Sequence, residues 1–255
     1  MRIPPVVVSL LLLTSTALSA QGLEYRVRMH MSMPGMPEAN IPTPETTMFV
    51  EGANIRVDNS SRGMSMSLIM DGARQRILYV NHNDKTYSEE KTPAGARDAA
   101  RDTAAMRAML PEVIPTSDRR TILGYPTERF VMVMRIPVAS EPGMVMVSVN
   151  ESWIATDAKL RDAFNSSIEA AERMLGAAAA DMKSLMPPGA QGVPLETNIL
   201  MLKRAESDKI DALALLAEEN PQGLMTRARM ETLSVSVRNL PDSVFAVPAT
   251  YSKSN

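Results

Sequence analysis

The sequence predicts an α+β fold in which an antiparallel sheet is covered on one face by helices. Short segments that alternate apolar and polar residues follow one another between turn signals, as in an antiparallel sheet with one wet face. Two longer segments instead repeat their apolar residues every three or four positions, which is typical of amphipathic helices. The chain has 255 residues, and residues 21–255 are the right length for a single domain.

Composition excludes several classes of function. Lys and Arg total 27 against 29 Asp and Glu, so there is no basic excess with which to bind nucleic acid. Cysteine is absent, which removes disulfides, thiolate nucleophiles and cysteine-based metal sites. The chain has no Gly-rich phosphate loop and no H-E-x-x-H or G-x-S-x-G motif. We therefore expect a protein that is not an enzyme and needs no cofactor.

Residues 1–20 have the layout of a secretory signal. Arg2 precedes the apolar run 6–13, and small and polar residues follow it. Cleavage is expected after Ser19 or one residue later. The apolar run is far shorter than the roughly 20 residues that span a bilayer, and no later segment is apolar enough to do so. We expect an exported, periplasmic or secreted protein without a membrane anchor, soluble after cleavage and folded as one domain over residues 21–255.

The clearest strand pattern lies in residues 23–33. Every odd position there is apolar, and the even positions are Glu, Arg, His or Ser, which predicts a half-buried strand. Four prolines then make residues 34–44 a loop. Further strands are expected at residues 46–50, 54–58, 64–70, 76–80, 86–89, 119–123, 128–136, 144–154, 195–202, 225–237 and 244–247. We expect about ten or eleven strands from these twelve segments, which is too many for one sheet to remain uncurled.

Three segments are predicted to be helical. Residues 95–110 are rich in alanine and end at Pro111. Residues 157–186 have a continuous apolar stripe, which is expected to lie on the apolar face of the sheet. Alanines at 177–180 would hold this helix weakly, so we expect it to act as a lid whose amides exchange before those of the first strand. Residues 207–220 are predicted to form a third, shorter helix.

Methionine is the most informative residue type, with 21 copies against 1 Trp, 5 Tyr and 4 Phe. Several strands place methionines at alternate positions, as at Met144 and Met146. One interpretation is that they fill gaps in the core. In another, the same face lines a cavity for a ligand of variable shape, such as a lipid or its acyl chain. The candidate residues of this cavity and its lid are Met29, Met31, Met33, Met64, Met66, Met132, Met134, Phe164, Ile168 and Leu175.

A soft-metal site is a further interpretation. Four thioethers and one imidazole lie within eight residues, at Met29, His30, Met31, Met33 and Met36. Thioethers select Cu(I), and an exported chain without thiols would have to use methionine to hold it. A regular strand, however, directs His30 away from its neighbours. We expect this ring, and that of His82 in the turn 81–84, at the solvated surface.

Short segments of the chain resemble a known family. They are LYVN (78–81), KTY (85–87), ILGY (122–125), SWIATD (152–157) and PDSVFAVPATY (241–251). They resemble an exported bacterial family, domain-of-unknown-function family 4412, and look related to the periplasmic lipoprotein carriers of the LolA type. The resemblance covers nearly all of the mature chain. It implies a strongly curved antiparallel half-barrel whose concave face is closed by helices.

The resemblance also implies roles for single residues, none of them catalytic. Gly124 and Tyr125 would begin a hairpin strand, and Trp153 would anchor the core. The last strand would be pinned by Phe245, Pro248 and Tyr251.

We expect a non-enzymatic envelope protein that binds or carries an apolar ligand in the concave face. The alternatives are a methionine-rich Cu(I)-binding envelope protein and a structural or partner-docking envelope protein.

Overall fold

The computed structural model describes residues 21–91, 111–175 and 190–254. Residues 1–20, the predicted helix 95–110 and residues 176–186 of the long predicted helix lie outside the described residues. The strands are β1 (Gly22–Ser32), β2 (Glu45–Glu51), β3 (Asn54–Ser61), β4 (Met64–Asp71), β5 (Arg76–Asn81), β6 (Thr86–Lys91), β7 (Glu112–Ile114), β8 (Arg119–Ile122), β9 (Tyr125–Pro137), β10 (Met144–Ala155), β11 (Pro194–Ala205), β12 (Leu224–Arg238) and β13 (Ser252–Lys253). The α-helices are α1 (Ala158–Leu175) and α2 (Ala212–Ala217), and short 3-10 helices span Glu38–Asn40 and Asp242–Phe245.

The predicted α+β class, a half-barrel with helices over its concave face, is wrong. The described chain is nearly all β, since 13 strands form one mostly antiparallel sheet and only two α-helices accompany it. Helix α1 packs mainly on β1, β2, β3 and β12 and so covers only part of one face. Helix α2 packs on β9 and β10 and is shorter than predicted. Asp211 caps its first turn and Pro221 disfavours helix in the residue before it, so 207–220 cannot all be helical.

The strands follow the order β13-β6-β5-β4-β3-β2-β1-β12-β11-β10-β9-β7, and β8 also pairs with β9. Most neighbours are also consecutive in the chain, and β1 meets β12 in the middle of the sheet. Tight turns make this meander possible. Arg62 and Gly63 (φ 45° and 81°) join β3 to β4, and Leu123 and Gly124 (φ 52° and 83°) join β8 to β9. Two successive positive φ angles are the geometry of a two-residue hairpin turn whose twist matches that of the strands.

The core beneath α1 lies on one face of the sheet. Leu23, Tyr25 and Val27 of β1 are buried there against Leu160 and Ala163 of the helix. These odd positions of β1 are the apolar face predicted from the sequence. No helix in the described part of the chain is long and apolar enough to cross a membrane.

The opposite face has two further apolar clusters. One consists of valines and leucines of β9, β10 and β11 beneath Ala212 and Leu215 of α2. The other consists of Ile69, Leu78 and Val80, which are covered by the C-terminal segment 241–254.

The predicted strand 244–247 is wrong. Its first two residues end the 3-10 helix Asp242–Phe245. The segment is flanked by Pro241 and Pro248, and a proline has no amide proton to donate to a ladder. Phe245, Val247 and Tyr251 pack instead on the cluster of β4 and β5. The apolar side chains that predicted a strand therefore belong to a segment that covers one face of the sheet.

Candidate functional site

One face of the sheet gathers methionines from strands that are far apart in the sequence. Residues directly opposite each other on neighbouring strands share a face. Met29 of β1 lies opposite Met230 of β12. The same row continues through Thr197 of β11 and Ser152 of β10 to Phe130 of β9. Except at the bulges of β11 and β12, every second residue of a strand therefore belongs to the face of Met29.

This face continues on the other side of β1. Tyr25 lies opposite Met48 of β2, and Met48 lies opposite Val57 of β3. Val57 in turn lies opposite Leu68 of β4. Because Tyr25 is buried in the cluster beneath α1, these residues and α1 are on the same side of the sheet. The methionines of this side, which we call the methionine face, are Met29, Met31, Met48, Met64, Met66, Met70, Met132, Met134, Met144, Met146, Met201 and Met230.

None of the methionines whose side chains the structure describes is fully buried. Strand β9 shows the contrast between its two faces. Val131 and Val133 are 0% and 3% exposed on one face, whereas Met132 and Met134 on the other are only partly buried. Strand β10 repeats this arrangement with its own valines and methionines. Branched residues thus build the tightly packed core, and methionine forms a partly exposed apolar surface.

A trough runs along β10 within the methionine face. Its floor consists of short polar side chains, and the Nδ2 of Asn150 donates to the Oγ of Ser148 at 3.0 Å. Nearer α1, the hydroxyl of Ser152 lies 3.2 Å from that of Thr197. The walls are longer apolar side chains of β9 and β11, namely Phe130, Met132, Met134, Ile199 and Met201. Two strand spacings separate the walls by about 10 Å, which leaves room for one extended chain.

Most of the predicted cavity residues lie on the methionine face. They are Met29, Met31, Met64, Met66, Met132 and Met134. Phe164 of α1 packs against the cluster beneath that helix, and Ile168 is partly buried. Met33 lies beyond the end of β1, in a turn where its carbonyl accepts from the amide of Met36. Leu175 ends α1, and its side chain lies outside what the structure describes.

The predicted copper ligands are not brought together. His30 lies on the charged face of β1, where its Nε2 is 3.3 Å from Glu231, whereas Met29 and Met31 project to the methionine face. Met36 is 45% exposed in the turn that follows β1. Among residues 21–91, 111–175 and 190–254, no group of three or more His, Cys, Asp or Glu side chains is arranged to hold a metal ion.

The candidate residues chosen from the sequence omit part of the methionine face. Met144 and Met146 show alternate spacing in the sequence, which is the signal that could have placed them there. Met201 is the single methionine of its strand, and Met230 lies five residues from Met225, so only the strand register places these two beside the other methionines. The trough also depends on the strand register. Nothing in the sequence around Ser148 indicates a trough, which forms because Met134 and Met201 lie opposite Ser148 on the two neighbouring strands.

A polar network lies on the opposite face. The Nε2 of His82 is 2.6 Å from the Oγ of Ser67, and its Nδ1 is 3.0 Å from the hydroxyl of Tyr251. Ser67 also donates to Asp58 at 2.5 Å. Arg56 donates to the same carboxylate oxygen at 2.6 Å. His82 was expected at the solvated surface. Its side chain is instead partly buried, and each ring nitrogen lies within hydrogen-bond distance of a hydroxyl group.

This network attaches the C-terminal segment to the sheet. A hydroxyl next to an imidazole is the pairing that activates nucleophiles, but Ser67 is only 3% exposed and its oxygen also lies 3.2 Å from the Nη2 of Arg56. Arg56 donates from its other terminal nitrogen to the carbonyl of Val244 at 2.8 Å. Two points of the C-terminal segment, Val244 and Tyr251, are thereby hydrogen-bonded to residues of β3 and of the turn after β5.

Comparison with known proteins gives little further information. No protein-family model matches the chain, and no curated protein matches it. Among solved structures, the chain is similar to an uncharacterized conserved protein from Thermus thermophilus. The identity is 8%, the match covers 93% of this chain and 91% of that one, and the TM-score is 0.42.

Proposed function

We propose that this is a non-enzymatic protein of the cell envelope that binds an apolar ligand, a lipid or its acyl chain, on the methionine face. One observation supports the proposal above all. Most of the methionines whose side chains the structure describes lie on one face of the sheet, outside the tightly packed core. Unbranched thioether side chains adapt to ligands of variable shape, which suits a surface that must accept flexible chains.

The trough along β10 is the proposed seat of the ligand. Its walls of methionine, isoleucine and phenylalanine provide apolar contact, and its floor of Ser148, Asn150 and Ser152 provides polar groups. A mostly apolar site with a few placed polar groups is typical of ligand-binding clefts. The polar atoms of the floor would meet the carboxyl or ester end of a lipid.

The same proposal includes export of the protein from the cytoplasm and its relationship to a known family. The layout of residues 1–20 supports secretion to the periplasm or beyond. The quoted segments from 78–81 to 241–251 support kinship with domain-of-unknown-function family 4412 and with lipoprotein carriers of the LolA type. A carrier that works outside the cytoplasm would need neither a cofactor nor a catalytic group.

The test is binding of a fluorescent fatty acid to the purified protein and to two variants. Replacing Met132 and Met134 with Asp places charge in one wall of the trough and is expected to abolish binding. Replacing Leu213 with Asp places charge on an apolar residue of α2 that is 41% exposed on the opposite side, and is expected to leave binding unchanged. Thermal unfolding of each variant establishes that it is folded.

Solvent extraction of the natively purified protein, followed by mass spectrometry, would identify the bound lipid. If the unmodified protein binds no lipid probe and yields no lipid on extraction, the proposal fails. A structural or partner-docking role would then be the better explanation of the methionine face.

A further inference from the structure

Three methionines of the methionine face surround one small residue. Ser148 of β10 lies directly opposite Met134 of β9 on one side and Met201 of β11 on the other. Met146 is the next residue of β10 on the same face. Side chains directly opposite one another have Cβ atoms about 5 Å apart, and diagonal neighbours about 7 Å. Three flexible thioethers therefore flank the space above a serine that is too short to fill it.

Met134, Met146 and Met201 belong to none of the three apolar clusters formed by the described residues. Met230, by contrast, packs against the cluster beneath α1. The three thioethers are partly buried, so they are shielded from bulk water without being sealed off from it.

The chemistry of this group is soft and uncharged. Thioethers are poor ligands for Mg²⁺ or Ca²⁺, which prefer oxygen, and they select Cu(I). The nearest charged side chain on this face is that of Lys203, opposite Met146. Its ammonium group is paired with the carboxylate of Glu141 at 2.5 Å, so its charge is offset locally. No carboxylate or imidazole lies among the residues opposite or next to these methionines on this face.

We infer that Met134, Met146 and Met201 form a site for a soft monovalent metal ion, Cu(I), above Ser148. This inference uses residues of the methionine face but does not rest on the proposed lipid binding. The site differs from the group at residues 29–36 that the sequence indicated, because its ligands come from three strands rather than one.

None of the three proposed ligands gains or loses a proton, and this determines how metal binding depends on pH. Thiolate and imidazole ligands compete with protons for a metal, so their affinity falls in acid. A thioether binds no proton between about pH 5 and about pH 8. Binding of Ag(I), an air-stable probe of the same softness, is expected to be unchanged between about pH 5 and about pH 8, where a histidine site would weaken.

The experiment is titration of the purified protein with Ag(I), and with Cu(I) against a competing chelator. The test variant replaces Met134, Met146 and Met201 with Leu, which keeps apolar volume and removes sulfur. Its affinity is expected to fall by about tenfold or more, because the soft donors are lost. The matched control replaces Met64, Met66 and Met70 of β4 with Leu, which removes the same number of thioethers from the same face, and is expected to bind as the unmodified protein does.

NMR of methyl-labelled methionine gives a second measurement. The ε-methyl signals of the three proposed ligands are expected to shift when Ag(I) is added. The single variant Met146→Leu serves if the triple variant does not fold. The inference is overturned if the unmodified protein does not bind Ag(I), if the triple variant binds as well as the unmodified protein, or if the β4 control loses as much affinity. Ag(I) binding and fatty-acid binding are measured separately on the unmodified protein, so the two proposals can fail separately.

Discussion

Tyr25 places a polar atom in the core beneath α1. Its side chain is 7% exposed, and its hydroxyl donates to the carbonyl of Pro194. Thr232 donates to the same hydroxyl at 3.4 Å. Burial raises the pKa of Tyr25 to about 12, although the hydrogen bond from Thr232 acts in the opposite direction. The folded protein therefore holds the side chain of Tyr25 as the neutral phenol.

This pKa predicts a loss of stability in strong alkali. An unfolded tyrosine ionises near pH 10, whereas the folded chain keeps this proton until about pH 12. Stability from Tyr25 is fully present below about pH 10 and is lost as the pH rises through about pH 12, by roughly 1.4 kcal/mol per pH unit. Urea unfolding at increasing pH should show a steeper decline for the unmodified protein than for Tyr25→Phe.

The exposed Tyr79 provides the control for this prediction. It is 42% exposed, so Tyr79→Phe should leave the alkaline decline as it is in the unmodified protein. Parallel pH curves for the unmodified protein and Tyr25→Phe would contradict the prediction.

Helix α1 docks on the sheet through few large buried side chains among those that the structure describes. Asp157 accepts from the amide of Leu160 at 3.0 Å and so caps the first turn. Leu160 is 1% exposed and Ala163 is 8% exposed, while Phe164 is only partly buried. Alanine contributes little apolar area, so Leu160 is the main anchor of the described helix.

Replacing Leu160 with Ala should therefore release α1 while the sheet persists. The expected loss is about 2–5 kcal/mol of unfolding free energy, because the change leaves a cavity under the helix. Hydrogen exchange should show the amides of α1 exchanging well ahead of those of β10, and the gap should widen in the variant. Lys159→Ala, at an exposed neighbouring position, should change stability by less than about 0.5 kcal/mol.

The hydrogen-exchange result also tests the predicted lid. Equal protection of α1 and β10 in the unmodified protein would show that the helix is a fixed part of the core.

At the scale of the whole molecule, the sheet carries apolar clusters on both faces, each with its own cover. The C-terminal segment covers Ile69, Leu78 and Val80, which are 1%, 2% and 1% exposed. It is held by the hydrogen bonds to His82 and Arg56 and by the parallel pairing of β13 with β6. Residues 241–254 are thus part of the folded domain.

A chain that ends at Pro241 should lose this cover. Burial of each such side chain contributes about 1.5–3 kcal/mol, so the unfolding free energy should fall by several kcal/mol. Binding of a dye that fluoresces on apolar surfaces should rise at the same time. A chain that ends at Pro248 retains Phe245 and Val247 and should lie between the two. Equal stability of all three chains would contradict the prediction.

The strands could be predicted from the sequence where period two was unambiguous, as in residues 23–33. The segment that covers the sheet could not be predicted in the same way. Residues 244–247 have the composition of a strand, but they form the end of a 3-10 helix and the residues after it. The helix at 207–220 was predicted too long, since apolar spacing alone does not tell where a cap such as Asp211 begins the helix.

The candidate site was predicted only as far as local patterns reach. Alternation placed Met132 and Met134 on one face of their strand. It did not place Met201 opposite Ser148, which depends on strand pairing across the sheet. The contact between His82 and Tyr251 joins residues that are 169 positions apart, and no local pattern indicates it.

The borders of the sheet have a consequence for behaviour at high concentration. One border ends in the two-residue strand β13 and the other in the three-residue strand β7, with the four-residue β8 beside it. Long exposed borders let molecules join edge to edge into fibrils. Beyond β13 and β7, residues 88–91 of β6 and 134–137 of β9 lie at the borders of the described sheet, and these stretches offer too few consecutive free amides for that growth. Concentrated solutions of the protein should therefore remain free of seeded, templated polymers, even though the sheet itself is unusually wide.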